Sequence, residues 1–284
     1  MKILVTGVTG QLGHDCVQQL KMEKDVEVKG VSSKEFPLTE PGQMEKYLMK
    51  FHPDAVIHCA AYTAVDKAEE ERELCQAVNG EGTRNLALLC KKIDAKLIYI
   101  STDYVFPGTG EEPYEVDAPK APVNVYGASK LQGEEAVQEI LDKYFIVRIS
   151  WVFGSNGKNF IRTMLKLGET RDKLTVVDDQ IGSPTYTRDL AVLLARMVRT
   201  DKYGVYHATN EGFCSWADLA IETFRQAGLQ VEVERTTSDN YPTAAKRPCN
   251  SRLSKECLDK AGFERLPRWQ DAVGRYLIEI HDVV

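Results

Sequence analysis

A short apolar run, KILVT, passes directly into GVTGQLG and then into the helical pattern QLGHDCVQQLKM. Gly7, Gly10 and Gly13 stand at G-x-x-G-x-x-G spacing across that junction. Glycines there let a backbone turn tightly and approach a pyrophosphate, while a helix amino terminus offers free N–H groups and a favourable dipole. A strand, a glycine turn and a helix in that order constrain the chain to open as a βαβ unit. A glycine-rich turn that binds nothing would look the same over these few residues, so the rest of the chain must agree.

The first 150 residues alternate β-branched runs with longer helical patterns. KILVTG, VEVKGVS, DAVIHCAA, KLIYIST and YFIVRIS are apolar without two-fold alternation, as for strands buried on both faces. Between them, QLGHDCVQQLKM, GQMEKYLMKF, EEERELCQAVNGEGTRNLALLCKKI and SKLQGEEAVQEILDK carry apolar residues at three- and four-residue spacing. This rhythm predicts an α/β fold, a doubly wound parallel (Rossmann) sheet with its ligand crevice beyond the carboxyl ends of the strands. After Trp151 the rhythm changes. NFIRTMLKLGE, TRDLAVLLARMVRT, SWADLAIETFRQAGL and WQDAVGRYLIEIHDVV read as helices, with LTVVDDQ, GVYHATN and VEVERTT as short strands. Residues 1–150, with parts of 174–206, are expected to bind the dinucleotide. Residues 151–173 and 207–284 are expected to form a smaller, interleaved substrate lobe.

Composition closes off other classes. Hydrophobic residues make up 43% and charged residues 27%, which suits a large packed core. A net charge of -6 with no Lys/Arg-rich run argues against a nucleic-acid or anionic-membrane surface. Seven cysteines, odd in number and without a C-x-x-C pair, read as reduced thiols. No run approaches eighteen apolar residues, and no leader pattern follows Met1, so a cytoplasmic location is expected.

Dinucleotide sites usually place an acidic residue at the end of the second strand, on the ribose 2′-OH. Here Ser32, Ser33 and Lys34 stand there instead, with Glu35 next. Hydroxyls and an ammonium suit a 2′-phosphate, which favours NADPH over NADH. The fourth strand ends in YISTDYVF, so Ser101, Thr102 and Asp103 should emerge at the sheet's carboxyl edge. Within NVYGASKLQG, Tyr126 precedes Lys130 by four residues and shares a helical face with it. With twelve tyrosines in the chain, about one such pair arises by chance, and only its setting gives it meaning. Beside a nucleotide site, the ammonium is expected to pull the phenol's pKa down from its usual value near 10. Thr102 would polarise a carbonyl, Tyr126 would protonate the developing alkoxide, and Lys130 would hold the nicotinamide ribose.

TGVTGQLG, HCAAYTAVDKAE, YISTDYVFPGTG, NVYGASKLQGE, RISWVFG, DDQIGSPT and KRPCNSRL together resemble the extended short-chain dehydrogenase/reductases, and among them the dTDP-4-dehydrorhamnose reductases, across nearly the whole chain. The resemblance implies reduction of the 4-keto group of dTDP-6-deoxy-L-lyxo-4-hexulose to dTDP-L-rhamnose by NADPH or NADH. It implies that Tyr126 donates the proton with Thr102 and Lys130 as partners. It also implies that Gln11, Leu12, Ala60, Ala61 and Tyr62 line the cofactor, and that Val65, Thr102, Asp103 and Trp151 touch the sugar nucleotide. By itself Trp151 would read as packing, since a lone Trp after a buried strand is usually core. Arg247, before Pro248, would by default be a loop arginine; as a planar guanidinium it could also grip a pyrophosphate. Some members of the family bind Mg²⁺ across a dimer, through an acidic residue on the first helix and another after the Pro-Thr pair. Asp15 matches the first position, but Arg188 stands at the second, with Asp189 beside it. The charge reversal predicts no metal and a monomer or weak dimer. His14, His52, His58, His207 and His281 are dispersed without ligand spacing. Two other readings stay open: a reductase of another nucleotide-linked 4-keto sugar, and a non-catalytic regulatory subunit of the methionine adenosyltransferase type.

Overall fold

The computed structural model describes residues 1–281, so the last three residues of the expected substrate lobe, 282–284, lie outside the described residues. The alternating pattern yields β1 (Lys2–Thr6), α1 (Gln11–Lys21), β2 (Glu27–Val31), α2 (Pro41–Phe51) and β3 (Ala55–His58). A helix then runs from Arg72 to α3 (Gly82–Lys92) through one π-helical turn, Ala77–Glu81. It is followed by β4 (Lys96–Thr102), α4 (Val125–Ile140) and β5 (Tyr144–Ile149). The second half contributes α5 (Phe160–Gly168), β6 (Lys173–Val177), α6 (Thr187–Met197), β7 (Gly204–His207), α7 (Trp216–Ala227), β8 (Glu232–Thr236) and α8 (Trp269–His281).

Six of these strands form one all-parallel sheet in the order β7-β5-β4-β3-β1-β2. The chain runs outward from β1 to β2, then crosses to β3 on the other side, so the switch point lies between β1 and β3. A crevice opens there at the carboxyl ends. Alternate residues of β1 face opposite layers: Ile3 and Val5 meet Leu12, Cys16 and Leu20 of α1 together with Leu190 and Leu194 of α6, while Leu4 meets Met44 and Leu48 of α2 and Leu86 of α3. β2 departs from the expectation of burial on both faces. Glu27, Lys29 and Gly30 are exposed because β2 is the sheet's edge.

Of residues 174–206, α6 and β7 lie with the sheet, whereas β6 pairs with β8 in the second lobe. That lobe has its own cores, one around Phe153, Ile161, Tyr186, Trp269 and Tyr276, and one around Met164, Val176 and Phe224. A small three-stranded sheet sets Ile181–Gly182 between Cys214–Ser215 and Asn250–Ser251. It brings the DDQIGSPT, FCSW and CNSRL segments to one place.

Between α4 and the sheet lies a fully buried ion pair. Arg148 of β5 donates from Nε to Glu134 Oε1 at 2.8 Å and from Nη2 to Oε2 at 2.7 Å, with the two side chains 1% and 0% exposed. Ser101 donates to the same carboxylate at 2.6 Å, and Arg148 Nη1 reaches the Val116 carbonyl at 2.8 Å. Nη1 also donates to His207 Nε2 at 3.2 Å; burial first, then the guanidinium, pushes the His207 imidazole down to about 3, so it stays neutral. Removing one partner strands a charge in the core. Arg148→Met is therefore expected to cost about 3–5 kcal/mol in denaturant unfolding, with most of the loss recovered in Glu134→Leu/Arg148→Met. Equal destabilisation by the single and double variants would show that packing, not charge, holds the pair.

Candidate active site

The glycine turn is a cradle that side chains would fill. Gly7 has φ +72, and a Cβ there would stand 2.7 Å from Ala60 N; a Cβ on Gly13 would stand 2.4 Å from the Gly7 carbonyl. Gly10 caps α1 with no side-chain hydrogen bond and no acidic residue in the first turn, which leaves the helix amino terminus open to an anion. Thr6 Oγ1 accepts from Ala60 N at 3.1 Å and lies 2.8 Å from His58 Nδ1. Burial, and to a lesser degree Lys130, hold the His58 imidazole down at about 3, so it is a neutral strut between β1 and β3. The structure thus joins Gly7, Gly10, Gly13 and Ala60, with Leu12 buried behind them. Gln11 turns away: its Oε1 accepts from Gly154 N at 2.8 Å and Asn159 Nδ2 at 3.0 Å. Asn156 reaches back from the second lobe to the carbonyls of Thr9 and Gly10 at 3.2 and 3.1 Å.

Ser32, Ser33 and Lys34 form the turn after β2, with Ser33 and Lys34 exposed. Glu35 occupies the Ser32 end, accepting from Ser32 N at 3.0 Å and from its hydroxyl. Ala61 and Tyr62 follow β3. Tyr62 is pinned by buried Asn79, whose Oδ1 accepts from Tyr62 N at 2.8 Å and whose Nδ2 donates to Tyr62 O at 3.0 Å. The same amide donates to Ser129 Oγ at 3.0 Å, and Ser129 donates to the Tyr126 carbonyl at 2.7 Å. Asn79 sits in the π-helical turn, so that irregularity ties the cofactor side of the crevice to α4.

Thr102, Asp103, Tyr126 and Lys130 meet at the carboxyl end of β4. Asn124 caps α4, accepting from Gly127 N at 2.8 Å, which aims the first turn and Tyr126 at the crevice. Lys130 is 2% exposed. Its Nζ donates to the Ile100 carbonyl at 2.7 Å and lies 4.1 Å from the Tyr99 ring centroid. Thr102 donates to Asp103 Oδ1 at 2.9 Å, while Asp103 Oδ2 is buried without a hydrogen-bond partner. Burial raises the Asp103 carboxyl to about 6, against the opposing pull of the Ser251 and Thr102 hydroxyls. Tyr104 packs edge-on against Tyr126, with ring centroids 5.7 Å apart.

The expected effect of Lys130 on the phenol is not what the geometry delivers. Part of the Tyr126 side chain meets solvent, yet loss of hydration around the hydroxyl is the largest influence and pushes the phenol well above its ordinary value, followed by the Asp103 charge. Burial also drives Lys130 down to about 7, with Glu134 opposing, so the lysine is only a partial cation near neutrality. Spacing of four residues sets both groups on one face, but their burial, which spacing does not encode, is the largest influence on how readily each ionises.

The residues expected on the substrate side lie along the same edge. Val65 opens the short helix Val65–Ala68, and its neighbour Asp66 accepts from Arg247 Nη2 at 2.6 Å and from Ala245 N at 3.1 Å. Arg247 Nη1 donates to the Tyr104 hydroxyl at 3.2 Å, so a pyrophosphate would share this guanidinium with two protein partners. Trp151 lies two residues beyond Ile149, the partner of Thr102 across the β4–β5 ladder. Asp15 is buried and accepts from Thr187, while exposed Arg188 pairs with Glu279 at 3.3 Å. Sequence reasoning missed Asn79, Asn156 and the Glu134–Arg148 pair. Gly80 and Gly82 inside a helical pattern were the available signal for the π turn; a lone Asn or a long-range ion pair leaves no periodic trace.

A glycine cradle at the switch point of a parallel sheet, with a Tyr–Lys helix at the neighbouring strand end, defines a dinucleotide-binding protein of the short-chain dehydrogenase/reductase class. The model of the family described as RmlD substrate binding domain matches residues 1–281, and the chain belongs to that family. It is 42% identical over 277 residues to the dTDP-4-dehydrorhamnose reductase of Streptomyces griseus, covering 95% of this chain and 91% of that one. It is 40% identical over 278 residues to the spore coat polysaccharide biosynthesis protein SpsK of Bacillus subtilis (strain 168), covering 98% and 97%. Its fold matches the crystal structure of dTDP-4-dehydrorhamnose reductase from Bacillus anthracis str. Ames in complex with NADP, with a TM-score of 0.95, 41% identity, and coverage of 98% and 99%.

The depressed Lys130 has a measurable consequence in the ligand-free protein. Unfolded, this lysine keeps its proton to about pH 10; folded, it releases it near 7. Between those values the unfolded chain binds more protons, so the group makes stability rise with pH, by at most about 1.4 kcal/mol per unit. Lys130→Met is expected to flatten the rise of unfolding free energy between about pH 7.5 and 9. An unchanged slope would rule out the burial effect.

Proposed function

We propose that this chain is an NADPH-dependent reductase, able to use NADH, that converts the 4-keto group of dTDP-6-deoxy-L-lyxo-4-hexulose into the hydroxyl of dTDP-L-rhamnose, the last step of dTDP-rhamnose biosynthesis. The observation that carries this reading is the convergence of Thr102, Tyr126 and Lys130 beside the glycine cradle in a chain that belongs to this family. Gly7, Gly10 and Gly13 with Ala60, Ala61 and Tyr62 would hold the cofactor, and the open amino terminus of α1 would face its pyrophosphate. Bound there, the dihydronicotinamide supplies a hydride to the carbonyl carbon.

The chain's own groups handle the oxygen. With its pKa raised, Tyr126 keeps its proton at neutral pH, which is the form that can protonate the developing alkoxide. Thr102 turns its hydroxyl from Asp103 toward the carbonyl oxygen and polarises it. Lys130, held between Ile100 and Tyr99, would grip the nicotinamide ribose. Val65, Asp103, Trp151 and Arg247 form the sugar-nucleotide side. We take the enzyme to be cytoplasmic and a monomer or weak dimer that needs no Mg²⁺, because Arg188 brings a positive charge where an acidic ligand would be required. Among the described residues no helix is long and apolar enough to cross a membrane.

The direct test is NADPH oxidation with the 4-keto substrate generated in place by an upstream dehydratase and epimerase; absence of oxidation would refute the assignment. Tyr126→Phe removes only the phenol oxygen and is expected to lower single-turnover reduction ~10²- to 10⁴-fold while NADPH binding persists. Turnover within about threefold of the parent would deny Tyr126 the role of acid. NADPH is expected to bind more tightly than NADH by ~1–3 kcal/mol, with Lys34→Ala narrowing the gap; equal dissociation constants in the parent would refute Ser32–Lys34 as a 2′-phosphate site. Activity is expected to survive a chelator, and loss restored by Mg²⁺ alone would overturn the metal-free reading.

A further inference from the structure

Trp151 is held in a conformation that bulky residues avoid. Its φ of +50 lies in the left-handed region, where a non-glycine side chain needs its surroundings to hold it. Three contacts do so. Thr185 N donates to its carbonyl at 3.1 Å. Gly182 makes room, because a Cβ there would stand 3.0 Å from the Trp151 ring. The third is Trp216, whose ring is stacked on Trp151 with centroids 3.8 Å apart and planes 15° from parallel.

Trp216 is itself fixed. It begins α7, whose Ser215 cap and Asp218 exchange reciprocal hydrogen bonds. Its Nε1 donates to Gln180 Oε1 at 3.1 Å, Gln180 Nε2 donates to Ser238 Oγ at 2.9 Å, and Ser238 donates to Asp179 Oδ1 at 2.7 Å. Phe160 leans on it at 4.8 Å. Next to the stacked pair lies a cavity of about 110 Å³, bordered by Phe153, Phe160 and Ile161 as well as both indoles. Without Trp216 that space would merge with the hole left behind, and the strained Trp151 could swing into it. Both indoles pack against the cores of the second lobe, and Trp151 stands two residues beyond the end of β5, so the stack joins that lobe to the carboxyl edge of the sheet.

We propose that Trp216 is a positioning residue for substrate recognition: stacked on Trp151, it holds that indole at the rim of the crevice so that the sugar nucleotide meets a preformed aromatic wall. The inference rests on the reading of Trp151 as a substrate contact in the proposed reductase. Preorganisation of this kind acts on binding and leaves the proton donor and the cofactor cradle alone.

Two measurements test it separately from the reductase reading, which parent turnover decides. The first is the exciton-coupled circular dichroism of the stacked indoles in the parent protein, followed as dTDP-L-rhamnose is added. The couplet is expected in the free protein and to persist as the sugar nucleotide binds, because the wall is already formed; a couplet that is absent from the free protein or appears only on binding overturns the proposal. The second is steady-state kinetics. Trp216→Leu is expected to raise KM for the 4-keto sugar nucleotide roughly tenfold or more, with kcat within about threefold and NADPH affinity unchanged. Trp216→Phe keeps a flat ring in the stack and is expected to return KM to within about threefold of the parent. A purely structural pair would instead lower thermal stability in Trp216→Leu with KM unmoved, and that outcome, or a fall in kcat at constant KM, overturns the assignment. Should Trp216→Leu fail to fold, Trp216→Phe and the couplet decide.

Discussion

The structure depends on two opposite charges that never meet water. Taking Glu134 and Arg148 out of solvent is expensive, and only close, two-pronged geometry with further hydrogen bonds makes it tolerable. The supporting bonds come from Ser101 on β4, the Val116 carbonyl and His207 on β7. Glu134 follows Lys130 by four residues on α4, and Ser101 immediately precedes Thr102 on β4. One buried carboxylate therefore fixes the helix carrying Tyr126 and Lys130 against the strand carrying Thr102. An apolar contact of equal area would allow that helix to slide or rotate; paired hydrogen bonds of fixed direction do not.

Around that anchor, burial rather than pairing sets the charge states. Lys130 loses hydration by more than the nearby Glu134 charge restores, with the Ile100 carbonyl and the face of Tyr99 as its direct contacts, and so its proton is held less tightly than usual. Asp103 keeps one oxygen unsatisfied and is correspondingly reluctant to ionise. Titratable groups pushed toward neutrality at one strand end are what a site that moves a proton requires.

Much of this was legible in the sequence because it is periodic or punctuated. The apolar runs of β1, β3, β4 and β5, and the glycine turn after β1, declare a parallel sheet, since buried strands and tight turns each leave a local mark. The Tyr126–Lys130 spacing gave their common helical face for the same reason. The exposed edge of β2 was not legible, because a strand's place in the sheet depends on topology. Nor was the pairing of β6 with β8 instead of the main sheet, since both read as ordinary short strands. The inverted expectation for Tyr126 arose from the same gap: spacing reports which groups are neighbours, and desolvation reports how deep they lie. Trp216 escaped notice because an aromatic residue opening a helix looks like core until its partner's backbone conformation is known.

The side-chain amides of Gln11 and Asn156 join the glycine turn to the second lobe by hydrogen bonds that carry no net charge. Because Asn156 holds the carbonyls of Thr9 and Gly10, a tilt of that lobe away from the sheet would tug on the loop that faces the cofactor's pyrophosphate. The two walls of the crevice are thus joined through the glycine turn itself. Because those bonds carry no net charge, ionic strength would alter this linkage between the turn and the second lobe very little.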